Sequence, residues 1–122
     1  MSKYDVSKFR NITVAFNTPF AEDESLDTNA VKALSRYFLK KGVKSLYLCG
    51  STGEGFLLDN EERKRVVDAV MEEVGGKMVV IVHVGTACTG HSADLARHAE
   101  QSGADATSAV PCVYYRPGEE SI

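Results

Sequence analysis

The residues best equipped to do chemistry stand together in one loop, Gly50-Ser51-Thr52-Gly53-Glu54-Gly55. Gly50 and Gly55 keep the glycine spacing of a G-x-x-x-x-G-K-[ST] phosphate loop, but Phe56 and Leu57 occupy the lysine and hydroxyl positions. Without that lysine a nucleoside triphosphate loses the cation that reaches its outer phosphates. What remains is a pair of hydroxyl donors, Ser51 and Thr52, between glycines. Gly50 and Gly53 permit positive φ and let backbone amides come close to a ligand. Two hydroxyls and two amides suit the two oxygens of a carboxylate, and such a loop favours an anion. A glycine-rich strand-to-helix turn without a ligand fits the same spacing. Glu54 is expected to brace or cap the turn.

Other chemistry-bearing residues are more scattered. His83 lies among valines, where a hydrogen-bonded core histidine is expected rather than a base. His91 and His98 are seven residues apart, with no acidic partner that suggests a metal. Cys49, Cys88 and Cys112 are odd in number and form no C-x-x-C, which argues against structural zinc and a disulfide framework. Reduced, half-buried thiols are expected. Near the end stand Tyr114, Tyr115 and Arg116. A phenol in a chain of hydrogen bonds can relay protons, and an arginine can meet a carboxylate bidentately. Packing of the tyrosines and solvation of the arginine are the competing expectations.

These residues need a scaffold. Four short apolar runs, Ile12–Phe16, Ser45–Cys49, Met78–Val84 and Ala106–Val110, read as parallel strands covered on both faces. Three helical patterns separate them. The first carries Val31, Leu34, Tyr37 and Phe38 on one face, starts at Asp27 or Thr28, and ends before Gly42. The second opens with the capping box Asp59…Glu62, turns Val66, Val67, Val70 and Met71 inward, and stops at Gly75-Gly76. The third runs from about Thr89 to Gln101 and stops at Gly103. The β-α-β-α-β-α-β order implies right-handed crossovers, either in a small doubly wound sheet or in part of a (β/α)8 barrel. In both, the loop Gly50–Gly55 falls on the rim where ligands gather. The net charge of -3 offers no electrostatic case for nucleic acid or membrane partners. The first residues lack the apolar core of a signal peptide, so a cytoplasmic protein is expected. Glu119-Glu120-Ser121 reads as the opening of a fourth helix, so residues 1–122 are expected to be the first half of a longer protein, or a shortened form of one.

The stretch LYLCGSTGEGFLLDNEERKRVV resembles the second strand, loop and helix of the N-acetylneuraminate lyase and dihydrodipicolinate synthase superfamily, whose signature is G-[ST]-T-G-E. The likeness extends over nearly the whole chain. Asn17–Phe20 followed by Leu26-Asp27 is similar to the family's T-P-F…L-D start, and SAVPCVYYRP resembles its fourth strand and loop. Val82–Gly85 and Ser51 resemble the lyase branch, whereas the YYRP run is closer to the synthases and Pro111 is displaced by one position from the family's threonine-proline.

The resemblance implies that residues 1–122 are the N-terminal half of one TIM-barrel domain, truncated after the fourth strand, of a Schiff-base lyase acting on N-acetylneuraminate, a sialic acid, to release pyruvate and N-acetylmannosamine. It implies Ser51 and Thr52 as donors to the pyruvyl carboxylate, with Gly50, Gly53 and Glu54 shaping the loop. Tyr114 would be a proton relay reaching across a subunit interface of a homotetramer, and Tyr115 its substitute if the register shifts. No cofactor or metal is implied. The Schiff-base lysine and a second tyrosine belong to later strands. Lys3, Lys8, Lys32, Lys40, Lys41, Lys44, Lys64 and Lys77 all lie in the leading segment, on or after helices, or before strands. The chain alone is therefore expected to be inactive, and its open strand edges to favour aggregation or dimerisation. A synthase-like or other pyruvate-dependent aldolase, a non-catalytic form that binds carboxylate or joins full-length subunits, and a doubly wound anion-binding domain are the alternative expectations.

Overall fold

A computed structural model describes residues 5–111 and 118–121. The elements follow the expected order: β1 (Thr13–Ala15), α1 (Thr28–Lys40), β2 (Ser45–Leu48), α2 (Asn60–Val74), β3 (Val79–His83), α3 (Thr89–Gln101) and β4 (Ala106–Ser108). Local chemistry explains the helix limits. The Asp27 side chain accepts from the Ala30 amide at the start of α1. Asp59 and Glu62 form the reciprocal capping box of α2, with both bonds at 2.8 Å. Gly42, Gly76 and Gly103, just past the three helices, take positive φ of 82°, 77° and 87°, which a residue with a Cβ adopts only at a cost.

All four strands are parallel and lie in the order β1-β2-β3-β4. With right-handed crossovers, an order without reversal puts every helix on the same side of the sheet. That arrangement is a section of a (β/α)8 barrel and excludes the doubly wound alternative. Among the described residues helices cover one face of the sheet only. Leu46, Leu48, Val80 and Val82 are buried with Val31, Val66, Val67, Val70, Leu95 and Ala99 in a single core. The opposite face carries Thr13, Ala15, Ser45, Tyr47, Val79, Ile81 and Ala106, in register across the strands. Thr13 and Ser45 are hydrogen-bonded there through their hydroxyls at 3.0 Å.

The strands are shorter than the apolar runs. Ile12 is 89% exposed and Val110 47%, because the ladder ends before it reaches them. Tyr37 is exposed rather than packed. Six residues beyond Val31, it is turned about 120° away around the helix. Ser35, at i+4, is buried in its place and satisfies its hydroxyl on the Val31 carbonyl at 2.8 Å. Among the described residues no helix is long and apolar enough to cross a membrane.

Candidate carboxylate-binding site

The segment from Cys49 to Leu58 links β2 to α2 at the C-terminal rim of the sheet. Its geometry differs from the sequence expectation in one informative respect. The positive φ values fall on Cys49 (58°) and Glu54 (55°), and not on Gly50, Gly53 or Gly55. The glycines are required by crowding. A Cβ on Gly55 would lie 1.9 Å from the Cys49 carbonyl oxygen, and one on Gly53 would lie 2.9 Å from that of Phe16. At Gly50 it would meet the Tyr47 ring at 2.5 Å. The loop is therefore a tight backbone knot. Gly55 donates to the Gly50 carbonyl at 3.0 Å and Glu54 to that of Ser51 at 3.1 Å. Glu54 shapes the turn through this backbone bond and its left-handed conformation. Its side chain makes no cap bond.

The knot leaves Ser51 and Thr52 exposed on the rim. Among the described residues, no partner occupies either hydroxyl or either amide. The backbone beneath them is held from two sides. From the β1 side, buried Thr18 donates its hydroxyl to the Gly53 carbonyl at 2.6 Å. From the β3 side, His83 Nδ1 lies 3.1 Å from the Cys49 carbonyl oxygen.

The His83 tautomer follows from its partners. The Val110 amide, which can only donate, meets Nε2 at 3.2 Å, so Nε2 accepts and Nδ1 carries the proton to Cys49. His83 is 2% exposed. Burial, and then the charge of Arg63, hold its pKa below the ordinary 6.5, partly offset by the bond to Cys49. It is thus the neutral, hydrogen-bonded core histidine expected from its valine neighbours.

Arg63, on the first turn of α2, is 3% exposed. Its Nη1 donates to the Gly85 carbonyl at 2.9 Å and its Nη2 to that of His83 at 2.6 Å. Among the described residues its buried Nε has no hydrogen-bond partner. Burial pushes the Cys49 thiol up to about 11, against a smaller opposite pull from Arg63, so Cys49 is a protonated thiol and a poor nucleophile at neutral pH. Cys88, expected half-buried, is exposed. It stands at the start of α3, beyond the ladder that covers its strand.

Tyr47 completes the rim. Its hydroxyl meets the Ser108 hydroxyl at 3.0 Å, and its ring lies 6.3 Å from that of His83. His98, expected without an acidic partner, meets Asp68 of α2 at 2.9 Å. That contact joins residues thirty positions apart, which local spacing does not reveal. Among the described residues no group of three or more metal-ligating side chains forms. Tyr114, Tyr115, Arg116 and Cys112 lie outside the described residues.

Sequence reasoning missed Thr18, Tyr47 and Arg63 as parts of this site. Arg63 carried a readable signal. It stands at i with Val66, Val67 and Val70 at i+3, i+4 and i+7, a charge on the apolar stripe of its own helix.

The model of the dihydrodipicolinate synthetase family matches residues 8–122. The chain belongs to that family. The N-acetylneuraminate lyase of Mediterraneibacter gnavus is 38% identical over 118 residues, covering 97% of this chain and 38% of the relative. The 4-hydroxy-tetrahydrodipicolinate synthase of Chlorobium limicola is 39% identical over 109 residues, covering 89% and 37%. Among solved structures, the Ruminococcus gnavus sialic acid aldolase superposes with a TM-score of 0.90 at 38% identity, over 95% of this chain and 38% of its own. The chain thus spans well under half the length of the relatives it matches, and its described residues supply three βα units and a fourth strand.

Proposed function

We propose that this chain provides the carboxylate-binding loop of a Schiff-base, class I aldolase-type lyase that cleaves N-acetylneuraminate to N-acetylmannosamine and pyruvate. The observation that carries the reading is the loop itself. Ser51 and Thr52 stand on the ligand-binding rim with hydroxyls and amides open, over a backbone fixed by Thr18 and His83. The donors are preorganised, so little ordering is lost when a pyruvyl carboxylate binds. The similarity to relatives named as N-acetylneuraminate lyases and sialic acid aldolases supports the choice of substrate.

The nearly equal identity to a 4-hydroxy-tetrahydrodipicolinate synthase supports a second reading, a pyruvate-dependent condensation at the same loop. In both reactions a lysine amine attacks the keto carbon, and the protonated imine then acts as electron sink. The described lysines are poorly placed for that step. Lys32 pairs with Glu72, Lys64 with Asp94, and Lys8 with Asp105 on exposed surfaces. Lys32 and Lys64 have their pKa raised by those hydrogen-bonded partners, the reverse of what a nucleophilic amine needs. Lys44 and Lys77 precede strands, at the opposite rim from the loop. The chain by itself is therefore inactive. In the complete enzyme, we take Tyr114 as a proton relay for the active site of a neighbouring subunit, and the assembly as cytoplasmic.

Incubation with pyruvate and borohydride tests the reading. Binding of pyruvate, seen as ligand line broadening by NMR, is expected without a covalent adduct on the chain. A reduced pyruvyl-lysine on any of the eight lysines would overturn the assignment of the nucleophile. No broadening by pyruvate would overturn the assignment of the loop.

A further inference from the structure

The buried guanidinium of Arg63 has no carboxylate partner among the described residues. Removing a cation from water without an opposite charge is costly, and two backbone carbonyls return only part of that cost. A methionine or leucine would continue the apolar stripe of α2 more cheaply. The position of the charge gives it a use. Arg63 sits between the two ends of the loop. Cys49, which begins the loop, has its thiol next to the guanidinium, and its carbonyl accepts from Nδ1 of His83, the residue whose own carbonyl accepts from Nη2. Gly55 and Phe56, which end it, line one cleft of about 390 Å³ together with Arg63. Asp59 lines that cleft too and keeps its charge, but its Oδ1 is turned to the Glu62 amide and among the described residues it makes no ion pair with Arg63.

We propose that Arg63 is a positioning residue of the carboxylate cradle and the source of its positive charge. It fixes the carbonyls of His83 and Gly85, and through His83 the left-handed turn at Cys49. Its cation, without an ion-pair partner among the described residues, acts through the loop without touching the ligand, and makes the cradle select an anion over a neutral hydrogen-bond acceptor. This rests on the reading of Ser51 and Thr52 as carboxylate donors.

The test compares pyruvate with pyruvamide, a neutral analogue, by ligand-observed NMR titration of the 122-residue chain. The unsubstituted chain is expected to favour pyruvate. In Arg63→Met that preference falls on the order of tenfold, the size of a unit-charge interaction over about 10 Å at an effective dielectric of about 20. Arg63→Lys, which keeps the charge, retains most of the preference. Arg63→Gln, which keeps hydrogen-bond donors without the charge, behaves as Arg63→Met does and serves where the methionine variant does not fold. Equal loss of both ligands in Arg63→Gln or Arg63→Met would assign the residue a purely structural role and overturn the proposal. So would equal affinity of the unsubstituted chain for the two ligands, whatever the variants do. Absence of pyruvate binding to the unsubstituted chain would instead remove the reading of the loop, and this assignment with it.

Discussion

The two ends of the sheet use glycine for opposite reasons. At the N-terminal end, Gly42, Gly76 and Gly103 let the chain leave a helix and enter the next strand with positive φ, and a Cβ on Gly42 or Gly76 would meet nothing within 4 Å. At the C-terminal end, Gly50, Gly53 and Gly55 sit where a Cβ would strike a ring or a carbonyl, while residues with side chains, Cys49 and Glu54, carry the positive φ. One end uses conformational freedom to stop helices. The other uses absence of bulk to close a knot, and accepts roughly 1–3 kcal/mol of strain at each left-handed residue. Strain held in place by surrounding contacts is concentrated on the rim that carries the candidate site.

Substitution by alanine sharpens the contrast. Gly55→Ala drives a methyl into the Cys49 carbonyl, and a loss of about 3 kcal/mol is expected, near the upper end of ordinary overpacking. Gly42→Ala, with open space around it, is expected to cost only about 1 kcal/mol for its left-handed backbone. Urea midpoints at constant m-value measure both. Equal losses at the two positions would break the distinction between crowding and conformation.

A smaller effect is expected from pH, again at the C-terminal end. His83 has a folded pKa below its ordinary 6.5 because it is buried beside a cation. Between the two values the unfolded chain binds the extra proton, so stability rises with pH. The His83 contribution is fully present above about 6.5 and is lost as pH falls through the folded pKa. The urea midpoint at pH 7.5 should exceed that at pH 5.5, and His83→Gln should flatten the slope. A slope unchanged by that substitution would show that His83 is not the group responsible.

The same contrast explains how much of the molecule was legible in the sequence. Helix ends and the helix-terminating glycines were readable because capping and positive φ are local. The Asp59–Glu62 box spans three residues and announces itself. The exposed hydroxyls of the loop were readable from its composition, but the reason for its glycines was not. That reason lies in Phe16 and Tyr47, residues made neighbours only by the fold. Thr18 has no role legible in the sequence, since its partner Gly53 is 35 positions away. Ser35 is polar and so does not read as a core residue, although helical angle sets it on the same face as Val31. The single-sided sheet could not be read from apolar runs alone. It depends on strand order, which periodicity does not encode.

One hydrogen bond described above reaches over a strand. β2 and β4 are not neighbours; β3 lies between them. Adjacent strands are about 4.8 Å apart, so a flat sheet would separate these two backbones by about 10 Å. Yet Tyr47 and Ser108 touch through their hydroxyls at 3.0 Å. The reach of the phenol closes that gap over the middle strand. Two strands that share no backbone hydrogen bond are thus tied to each other on the site face, and a shorter residue at position 47 would undo the tie.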